Sequence, residues 1–372
     1  MLYISMKSYH ITLLLPLLIL SSGCNDQYRQ LATEKKAQNI ILLIGDGMGL
    51  AQASTAFYFQ KEEPNFVRFP VIGLHRNPPT DALITDSAAG ATAFSTGYKS
   101  YNAAIGVDSN ATPRETILEI AARQGKSTGL IATSSITHAT PASFFAHTAV
   151  RDSAEIIASQ LPAAPVNFFA GGGLKYFNQR TDGANYLDSL AAKGFVVDTE
   201  SLERPAKLDL NKKYGYLLAP DGMPKMQEGR GDFLPRATQL ALDYLSQDKD
   251  GFFLMVEGSQ IDWGGHDNDA EYVIQETLDF DKAIGVALDF AEKNGNTLVI
   301  VTADHETGGM SLSAAEVRMQ SDYRHIKPTF STGGHSASLI PVYAFGPGAE
   351  QFMGIYQNNE IFGKMLRAFR LK

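Results

Sequence analysis

The chain has 372 residues, of which 44% are hydrophobic and 19% charged, so it can bury a large core and lacks the bias of disordered, collagen-like or coiled-coil sequences. Lys and Arg number 32 against 40 Asp and Glu, which gives a formal net charge of -8. This acidic balance excludes a nucleic acid as a binding partner, because such a partner needs a surface that neutralises backbone phosphates.

The N-terminus has the pattern of an export signal. Lys7 precedes the apolar run 11–20, which is shorter than the roughly 20 residues of a membrane span, and small residues then lead to Cys24, the only cysteine. The pattern is similar to that of bacterial lipoproteins, in which the signal peptide ends just before an acylated cysteine. This resemblance implies a signal peptide at residues 1–23, a lipid anchor on Cys24 and a periplasmic or cell-envelope location. The alternative is an ordinary signal peptide in which Cys24 has no role.

The rest of the chain reads as one domain. Residues 24–38 are polar and lack periodicity, so we predict a linker there and a single domain over residues 39–372. Residues 175–231 are richer in polar residues and turns than their surroundings. We interpret them as a peripheral insertion.

Short apolar runs alternate with amphipathic stretches along this domain. The runs predicted as strands are 40–44, 128–132, 166–170, 252–256, 297–302 and 342–345, and the stretches predicted as helices are 113–124, 152–161, 233–245 and 270–293. Runs that are apolar throughout are typical of strands buried on both faces, as in parallel sheets. The predicted fold class is therefore α/β, with a doubly wound, largely parallel central sheet and helices on both faces.

Carboxylates and histidines follow three of the predicted strands. They are Asp46 after the run 40–44, Glu257, Asp262 and His266 after the run 252–256, and Asp304 and His305 after the run 297–302. Open α/β sheets bind ligands beyond the carboxyl ends of their strands, so we expect these side chains, together with His335, to converge. Imidazole and carboxylate groups favour zinc, and carboxylate and hydroxyl groups favour magnesium. For any single histidine, a surface or core position without a metal is the alternative.

Asp86 and Ser87 precede the small residues 88–93, which have high helical propensity. Ser87 would then lie at a helix N-terminus, where free amides favour an anion or a developing alkoxide. Beside a metal cluster it becomes a candidate nucleophile, because a zinc ion can lower the pKa of its hydroxyl group. The alternative is that Asp86 or Ser87 only caps the helix.

Arg151 stands at the start of the predicted helix 152–161 and is our candidate for binding phosphate. A planar guanidinium matches two oxygens of a phosphate group with paired hydrogen bonds. The alternative is a solvated residue at the beginning of a helix.

Six segments resemble those of bacterial alkaline phosphatases. They are GDGMG at 45–49, TDSAAGATAFSTGYKS at 85–100, HATPASFFAH at 138–147, MVEGSQIDWGGH at 255–266, TADHETGG at 302–309 and TGGHS at 332–336, in the order of the family. The resemblance implies hydrolysis of small phosphate monoesters through a phosphoserine intermediate, with an alkaline pH optimum. It also implies two Zn²⁺ ions and one Mg²⁺ ion per subunit, and it leaves a homodimer open.

The resemblance assigns roles residue by residue. The ligand sets are Asp262, His266 and His335 for one zinc ion, Asp46, Asp304 and His305 for the second, and Asp46, Thr140 and Glu257 for magnesium. Ser87 would be the nucleophile and Arg151 the phosphate clamp. His138 and Trp263 occupy positions that vary within the family and are expected beside the bound substrate. For His138, direct metal ligation is the alternative.

Two other functions remain open at the level of sequence. A phosphodiesterase or sulfatase would use the same metal frame, but a diesterase would lack a guanidinium like that of Arg151, and a sulfatase needs a CxPxR-type context that is absent here. A surface lipoprotein that captures zinc or phosphate without turnover would explain the anchor and the ligands. It would give Ser87 no role.

Overall fold

Strands and helices alternate along the described part of the chain, which in this computed structural model comprises residues 36–205 and 207–371. The strands are β1 (Asn39–Gly45), β2 (Val71–Arg76), β3 (Ser127–Ser135), β4 (Phe168–Gly172), β5 (Phe195–Asp198), β6 (Lys213–Leu217), β7 (Phe252–Gly258), β8 (Thr297–Thr302), β9 (Glu306–Thr307), β10 (Ser311–Val317), β11 (Gln320–Thr329), β12 (His335–Ser336), β13 (Ile340–Phe345) and β14 (Gly354–Gln357). The helices are α1 (Leu50–Phe59), α2 (Ser87–Thr96), α3 (Ile117–Arg123), α4 (Ala139–Ala142), α5 (Ala154–Gln160), α6 (Lys175–Asn178), α7 (Tyr186–Ala192), α8 (Phe233–Leu245), α9 (Gln260–His266), α10 (Ala270–Asn294) and α11 (Glu360–Phe369). Short 3₁₀ helices cover Asn65–Arg68, Leu161–Ala163, Met226–Glu228 and Ala349–Phe352. The predicted signal peptide and Cys24 lie outside the described residues.

Ten strands form one sheet in the order β14-β2-β13-β8-β1-β7-β3-β4-β6-β5. Neighbouring strands pair in parallel, except that β13 runs antiparallel to both β8 and β2. The predicted largely parallel α/β sheet is confirmed, and each of the six predicted runs lies in or overlaps a strand of it, although β4 begins at Phe168 and not at residue 166. The run 342–345 belongs to the antiparallel strand. Periodicity cannot reveal that direction, because β13 is apolar and buried along nearly its whole length.

The sheet is covered on both faces by apolar residues. In β1 every residue is buried, and alternate side chains enter two separate core clusters, Ile40 and Leu42 on one face and Ile41 and Leu43 on the other. Burying such a side chain stabilises the fold by about 1.5–3 kcal/mol. The end of β1 is therefore held firmly in the middle of the molecule.

The predicted helices are present, with shifted starts in two cases. Helix α8 has the predicted bounds, and α10 ends at Asn294, one residue later than predicted, followed by Gly295 in the left-handed region with a φ of 69°. Helix α3 begins at Ile117 rather than at residue 113, because Thr116 and Glu119 form a capping box. Helix α5 begins at Ala154, which places Arg151 in the preceding turn and not at the helix start.

The segment 175–231 and the N-terminal end of the predicted domain both contact the rest of the fold. The segment contributes α6, α7, β5 and β6, and the last two strands extend the sheet at one edge. At the N-terminal side, Ala37 is buried and its backbone N–H donates to the carbonyl of Ala368. Within the described residues, no helix combines the length and apolar character that crossing a bilayer requires.

Four neighbouring strands in the centre of the sheet, β8, β1, β7 and β3, point their carboxyl ends to the same edge. Ile44 of β1 is in register with Glu257 of β7 and with Thr302 of β8. Asp46, Glu257 and Asp304 consequently reach the same region of the molecule, as the rule for open α/β sheets predicts.

Candidate metal centre

A first ligand group, formed by Asp262, His266 and His335, lies where α9 meets β12. Asp262 and His266 are four residues apart on α9 and share one face. The Nε2 atoms of His266 and His335 are 3.1 Å apart, and Asp262 Oδ1 lies 3.4 and 3.6 Å from them. Ligands about 2.0–2.1 Å from a tetrahedral zinc ion stand about 3.3 Å apart, so these separations fit one zinc ion.

The tautomers of the two histidines support the same conclusion. Nδ1 of His266 donates to the carbonyl of Gly333, and Nδ1 of His335 donates to the carbonyl of Thr85, both at 2.8 Å. A carbonyl oxygen only accepts, so Nδ1 of each imidazole carries a proton and Nε2 is the nitrogen whose lone pair can bind a metal. Two lone pairs facing each other across 3.1 Å repel unless a cation lies between them.

A second ligand group is formed by Asp46, Asp304 and His305, whose side chains are all fully buried. His305 Nε2 lies 3.5 Å from Asp46 Oδ1 and 3.4 Å from Asp304 Oδ2. The Oδ2 atoms of both aspartates are buried without a hydrogen-bond partner among the described residues. Buried carboxylate oxygens are costly unless a cation or donors compensate them, so this group also fits a metal ion.

Asp46 also belongs to a third ligand group, together with His138 and Glu257, whose candidate ligand atoms all lie within 4.8 Å of one another. Thr140 Oγ1 and Glu257 Oε1 are buried and have no partner in the described part of the chain, while Ser134 Oγ donates to Glu257 Oε2 at 3.3 Å. The oxygen atoms suit magnesium. The third group therefore contains the expected Asp46 and Glu257. His138 also offers a ring nitrogen within 4.8 Å of their ligand atoms, which is close enough for the alternative of direct metal ligation.

The protein's own groups do not neutralise this concentration of carboxylates. Burial raises the pKa of Asp46 well above its usual value, and the carboxylates of Asp304, Asp262 and Glu257 raise it further. Burial likewise raises the pKa of Glu257 to about 8 and raises that of Asp304. Burial lowers the pKa of His305 well below its usual value, so its imidazole is neutral and able to bind a metal.

Ser87 is the first residue of α2 and faces the second ligand group. Its Oγ lies 3.2 Å from His305 Nε2 and 3.5 Å from Asp46 Oδ1. Asp86 is the N-cap, since its Oδ1 accepts from the backbone N–H of Ala89 at 2.9 Å. The capping role thus falls to Asp86, which leaves the hydroxyl of Ser87 facing the second ligand group.

Arg151 is held by two acceptors, one of which belongs to Asp86, the residue before Ser87. Its Nη1 donates to Asp86 Oδ2 at 3.0 Å, and its Nη2 donates to His138 Nε2 at 3.3 Å. Burial, with a contribution from Arg151, lowers the pKa of His138 to about 3, so this imidazole is neutral and can accept. Each terminal nitrogen of a guanidinium carries a second N–H, which suits a phosphate oxygen.

Trp263 lies on α9 beside Asp262, and its ring meets that of His138 edge-on with a centroid distance of 6.0 Å. Gly222 packs against it so closely that a Cβ there would lie 2.6 Å from the indole ring. Both Trp263 and His138 therefore lie on the side of the site that Arg151 occupies.

The sequence interpretation missed two residues that hold ligands in place. Thr307 Oγ1 donates to Asp262 Oδ1 at 2.5 Å and lies 3.1 Å from His305 Nδ1, so it links the first two ligand groups. Asn77 Nδ2 donates to the carbonyl of Asp304 at 2.6 Å. Thr307 lies within the segment TADHETGG and could have been flagged there. Asn77 lies in no recognised segment.

Comparison with known proteins agrees with this architecture. The sequence profile described as alkaline phosphatase matches residues 37–329. Alkaline phosphatase 3 of Bacillus subtilis is 32% identical, over 96% of this chain and 97% of that protein. The alkaline phosphatase of Escherichia coli is 31% identical, over 92% of this chain and 88% of that protein.

Solved structures show the same similarity. The alkaline phosphatase from the Antarctic bacterium TAB5 is 54% identical and superimposes with a TM-score of 0.89, over 91% of this chain and 99% of that one. A variant of that enzyme in which His is replaced by Asp, with Mg bound in its M3 site, matches at 53% identity and the same TM-score. The family resemblance of the six segments is confirmed. The chain belongs to the alkaline phosphatase family, whose members are phosphoric monoester hydrolases.

Proposed function

We propose that this chain hydrolyses phosphate monoesters to an alcohol and inorganic phosphate through a phosphoserine at Ser87. The observation that carries the proposal is the position of Ser87 Oγ, 3.2 Å from His305 Nε2 and 3.5 Å from Asp46 Oδ1. The neighbouring Asp86 holds the guanidinium of Arg151 on the same side. A binding protein without turnover would have no use for a hydroxyl group placed in this way.

We propose two Zn²⁺ ions in the first and second ligand groups and one Mg²⁺ ion at Asp46, Thr140 and Glu257. The nitrogen-containing first and second groups favour zinc, and the oxygen atoms of the third favour magnesium. The Mg-containing variant of the TAB5 enzyme supports a third cation site in this fold. When bound, such cations lower the pKa of hydroxyl groups and water and offset negative charge on the reacting oxygens.

In the proposed reaction Ser87 attacks the phosphate group, and Arg151, His138 and Trp263 orient it. Ser87 loses its proton, and its Oγ attacks phosphorus in line while the bond to the alcohol oxygen breaks and the alcohol leaves with a proton. Arg151 donates two hydrogen bonds to equatorial phosphate oxygens, and His138 and Trp263 flank that face. Water then cleaves the phosphoserine, which returns a proton to Ser87 and releases inorganic phosphate. We expect the rate to rise toward alkaline pH, because hydroxyl groups and water become better nucleophiles as they lose protons.

Ser87→Ala tests the covalent route. We expect turnover of a nitrophenyl phosphate monoester to fall by about 100-fold or more, since the nucleophile is lost, while bound zinc measured by elemental analysis is unchanged. Turnover above about a tenth of the wild-type value would contradict a phosphoserine intermediate. The wild type should prefer the monoester over the matching methyl diester and sulfate, and faster hydrolysis of either would favour a diesterase or sulfatase.

We also propose export and a lipid anchor at Cys24, supported by the short apolar run and the small residues that precede the cysteine. In bacterial cells grown with labelled palmitate, the wild-type protein should carry label and sediment with membranes. Cys24→Ser should lose both properties and keep its activity per molecule. An unlabelled wild-type protein would contradict the anchor.

A further inference from the structure

Glu306 is a buried carboxylate that is not one of the proposed metal ligands. The residue is 4% exposed, and its carboxylate accepts four hydrogen bonds. Oε1 accepts from Gln52 Nε2 at 2.7 Å and from the backbone N–H of Met310 at 2.9 Å. Oε2 accepts from the backbone N–H of Gly309 at 3.2 Å and from Ser336 Oγ. Four acceptor positions on one carboxylate are thus all used.

The side chain of Glu306 points away from the metal centre. Successive side chains of an extended segment alternate between opposite sides, and His305 and Thr307, on either side of Glu306, contact each other next to Asp262. Glu306 instead meets α1 through Gln52. It therefore lies directly behind the ligands and cannot coordinate the same cations.

Three ligand-bearing segments meet at this carboxylate. His305 precedes it in the chain, and Ser336, which donates to it, follows His335. The third segment is the turn after Asp46, where a Cβ on Gly49 would lie only 2.3 Å from Glu306 Cγ. The segments that carry ligands of the first and the second group consequently all contact one buried side chain, that of Glu306.

The two histidines joined in this way are in close contact. The rings of His305 and His335 stack with a centroid distance of 3.5 Å and an interplanar angle of 18°. A small shift of β12 against β9 would change this separation and the distances between the ligand groups. The main chains of these segments are joined by the two-residue ladder of β9 and β12 and, next to it, by the N–H of Gly308, which donates to the carbonyl of Gly334 at 2.9 Å.

We infer that Glu306 is a positioning residue that sets the spacing of His305 and His335 and thereby tunes zinc affinity. The inference rests on the proposed metal centre. Its chemical basis is that the site presents four donors, for which a carboxylate has enough lone pairs. A glutamine has two acceptor positions and two N–H groups. In Glu306→Gln the amide NH₂ would therefore lie against two of the four donors and could not accept their hydrogen bonds.

The experiment is a zinc titration of the metal-stripped full chain against a chromophoric chelator. Wild type, Glu306→Gln and Ser336→Ala would be compared with Glu316→Gln, which removes an exposed carboxylate from β10. Changes behind metal ligands typically weaken metal affinity about 10- to 100-fold. We expect a loss in this range for Glu306→Gln, a smaller loss for Ser336→Ala, which removes one hydrogen bond, and wild-type affinity for Glu316→Gln.

A second measurement separates positioning from general stability. Asp281→Asn removes a buried carboxylate of α10 that accepts from Asn65 and lies away from the ligands, so it serves as a destabilised control. Urea unfolding of the metal-stripped proteins gives the stability of each. If Glu306→Gln is destabilised like Asp281→Asn but keeps wild-type zinc affinity, or if both lose affinity equally, the inference is overturned. A wild type that fails to bind zinc would instead overturn the proposed metal centre.

The double variant tests the connection through Ser336. Glu306 and Ser336 share one hydrogen bond, so their effects on zinc affinity should not multiply, as expected for residues in contact. Full multiplication of the two losses would show that Glu306 does not act through the β12 segment. That result would also overturn the inference.

Discussion

The guanidinium of Arg151 is oriented by two hydrogen-bond acceptors, a carboxylate oxygen of Asp86 and the unprotonated ring nitrogen of His138. Asp86 is a carboxylate, and His138 is neutral because its pKa is lowered to about 3. The side chain of Arg151 is 22% exposed, so it reaches solvent while its orientation is set from behind. Orientation of a phosphate-binding group before the substrate arrives reduces the entropy that binding must overcome.

Arg151→Lys keeps the charge and removes the planar fork. Hydrogen bonds to charged groups contribute about 1.5–3 kcal/mol, so we expect kcat/KM on a phosphate monoester to fall about 10- to 100-fold. The inhibition constant of inorganic phosphate should rise in parallel. Arg114→Lys, at an arginine paired with Asp108 outside the ligand groups, is the matched control. Unchanged inhibition by phosphate in Arg151→Lys would contradict the clamp.

The sequence allowed the ligand types to be predicted, but not the side chains that hold them. Carboxylates and histidines directly after apolar runs stand out because their burial needs compensation. Asn77 and Glu306 act through hydrogen bonds to partners far along the chain, Asn77 to Asp304 across 227 positions and Glu306 to Gln52 across 254. No local pattern contains such a pairing, so only the fold reveals it.

At the scale of elements, the N-terminus of α3 is joined to the loop after α4 by a titrating pair. Glu119 Oε2 accepts from the N–H of Thr116, and its Oε1 accepts from His147 Nε2 at 3.2 Å, while His147 Nδ1 donates to the carbonyl of Gly106 at 2.7 Å. The hydrogen bond to Glu119 raises the pKa of His147 above its usual value. Burial alone would raise the pKa of Glu119, but the bonds from His147 and Thr116 outweigh burial and lower it.

This pair predicts a pH-dependent contribution to folding stability. Because the pKa of His147 is raised on folding, its protonation stabilises the fold fully below pH 6.5. This contribution is lost as the pH rises through the pKa of the folded state. Because the pKa of Glu119 is lowered on folding, its charged form stabilises the fold above pH 4.5. This contribution is lost as the pH falls through the pKa of the folded state. Glu119→Gln keeps a capping-box residue and removes the charge. It should therefore cost about 1 kcal/mol between pH 4.5 and 6.5 and less at pH 9.

The difference between wild type and Glu119→Gln is measured by urea unfolding at pH 5.5 and pH 9 under matched metal conditions. Other titrating groups cancel in this difference. Glu115→Gln, at an exposed carboxylate paired with Arg123 near the same helix, should show a smaller change between the two values. An effect of Glu119→Gln that is larger at pH 9 would have the wrong sign and would exclude a charged pair.

The strands differ in how well sequence predicts them, and burial explains the difference. β1, β7 and β8 are buried along their full length and appear as continuous apolar runs. β2 and β5 lie near the edges of the sheet and are partly exposed, so they show no such run. The sequence predicts the bounds of a helix well where a long apolar stripe exists. The observed start of a helix is set by capping residues such as Thr116, which the apolar stripe does not reveal.

At the scale of the whole molecule, the metal centre is a consequence of strand order. β8, β1, β7 and β3 are neighbours in the sheet although they are far apart in sequence, and their carboxyl ends bring Asp46, Glu257 and Asp304 together. Strand order cannot be read from apolar periodicity. The family resemblance supplied the division into ligand groups, and in the structure the second and third groups share one residue, Asp46.

Because the ligands come from distant parts of the chain, bound cations should stabilise the whole fold. A ligand present at a thousand times its dissociation constant stabilises the native state by about 4 kcal/mol, so stripping the metals with a chelator should lower the unfolding midpoint by about 5 °C or more. Activity should be lost at the same chelator concentration, and added zinc and magnesium should restore both. The measurement is thermal unfolding followed by circular dichroism, with activity assayed in parallel.

Ser87→Ala separates the two consequences of metal removal. This variant keeps all proposed ligands, so its unfolding midpoint should fall on chelation as far as that of the wild type, although it has little activity to lose. His266→Asn removes one ligand of the first group and should show a smaller fall, because less metal is bound at the start. If chelation abolished wild-type activity and left all three midpoints unchanged, the cations would not hold the distant segments together. The ligand groups would then have to be stable through their own hydrogen bonds, which their unpartnered buried oxygens argue against.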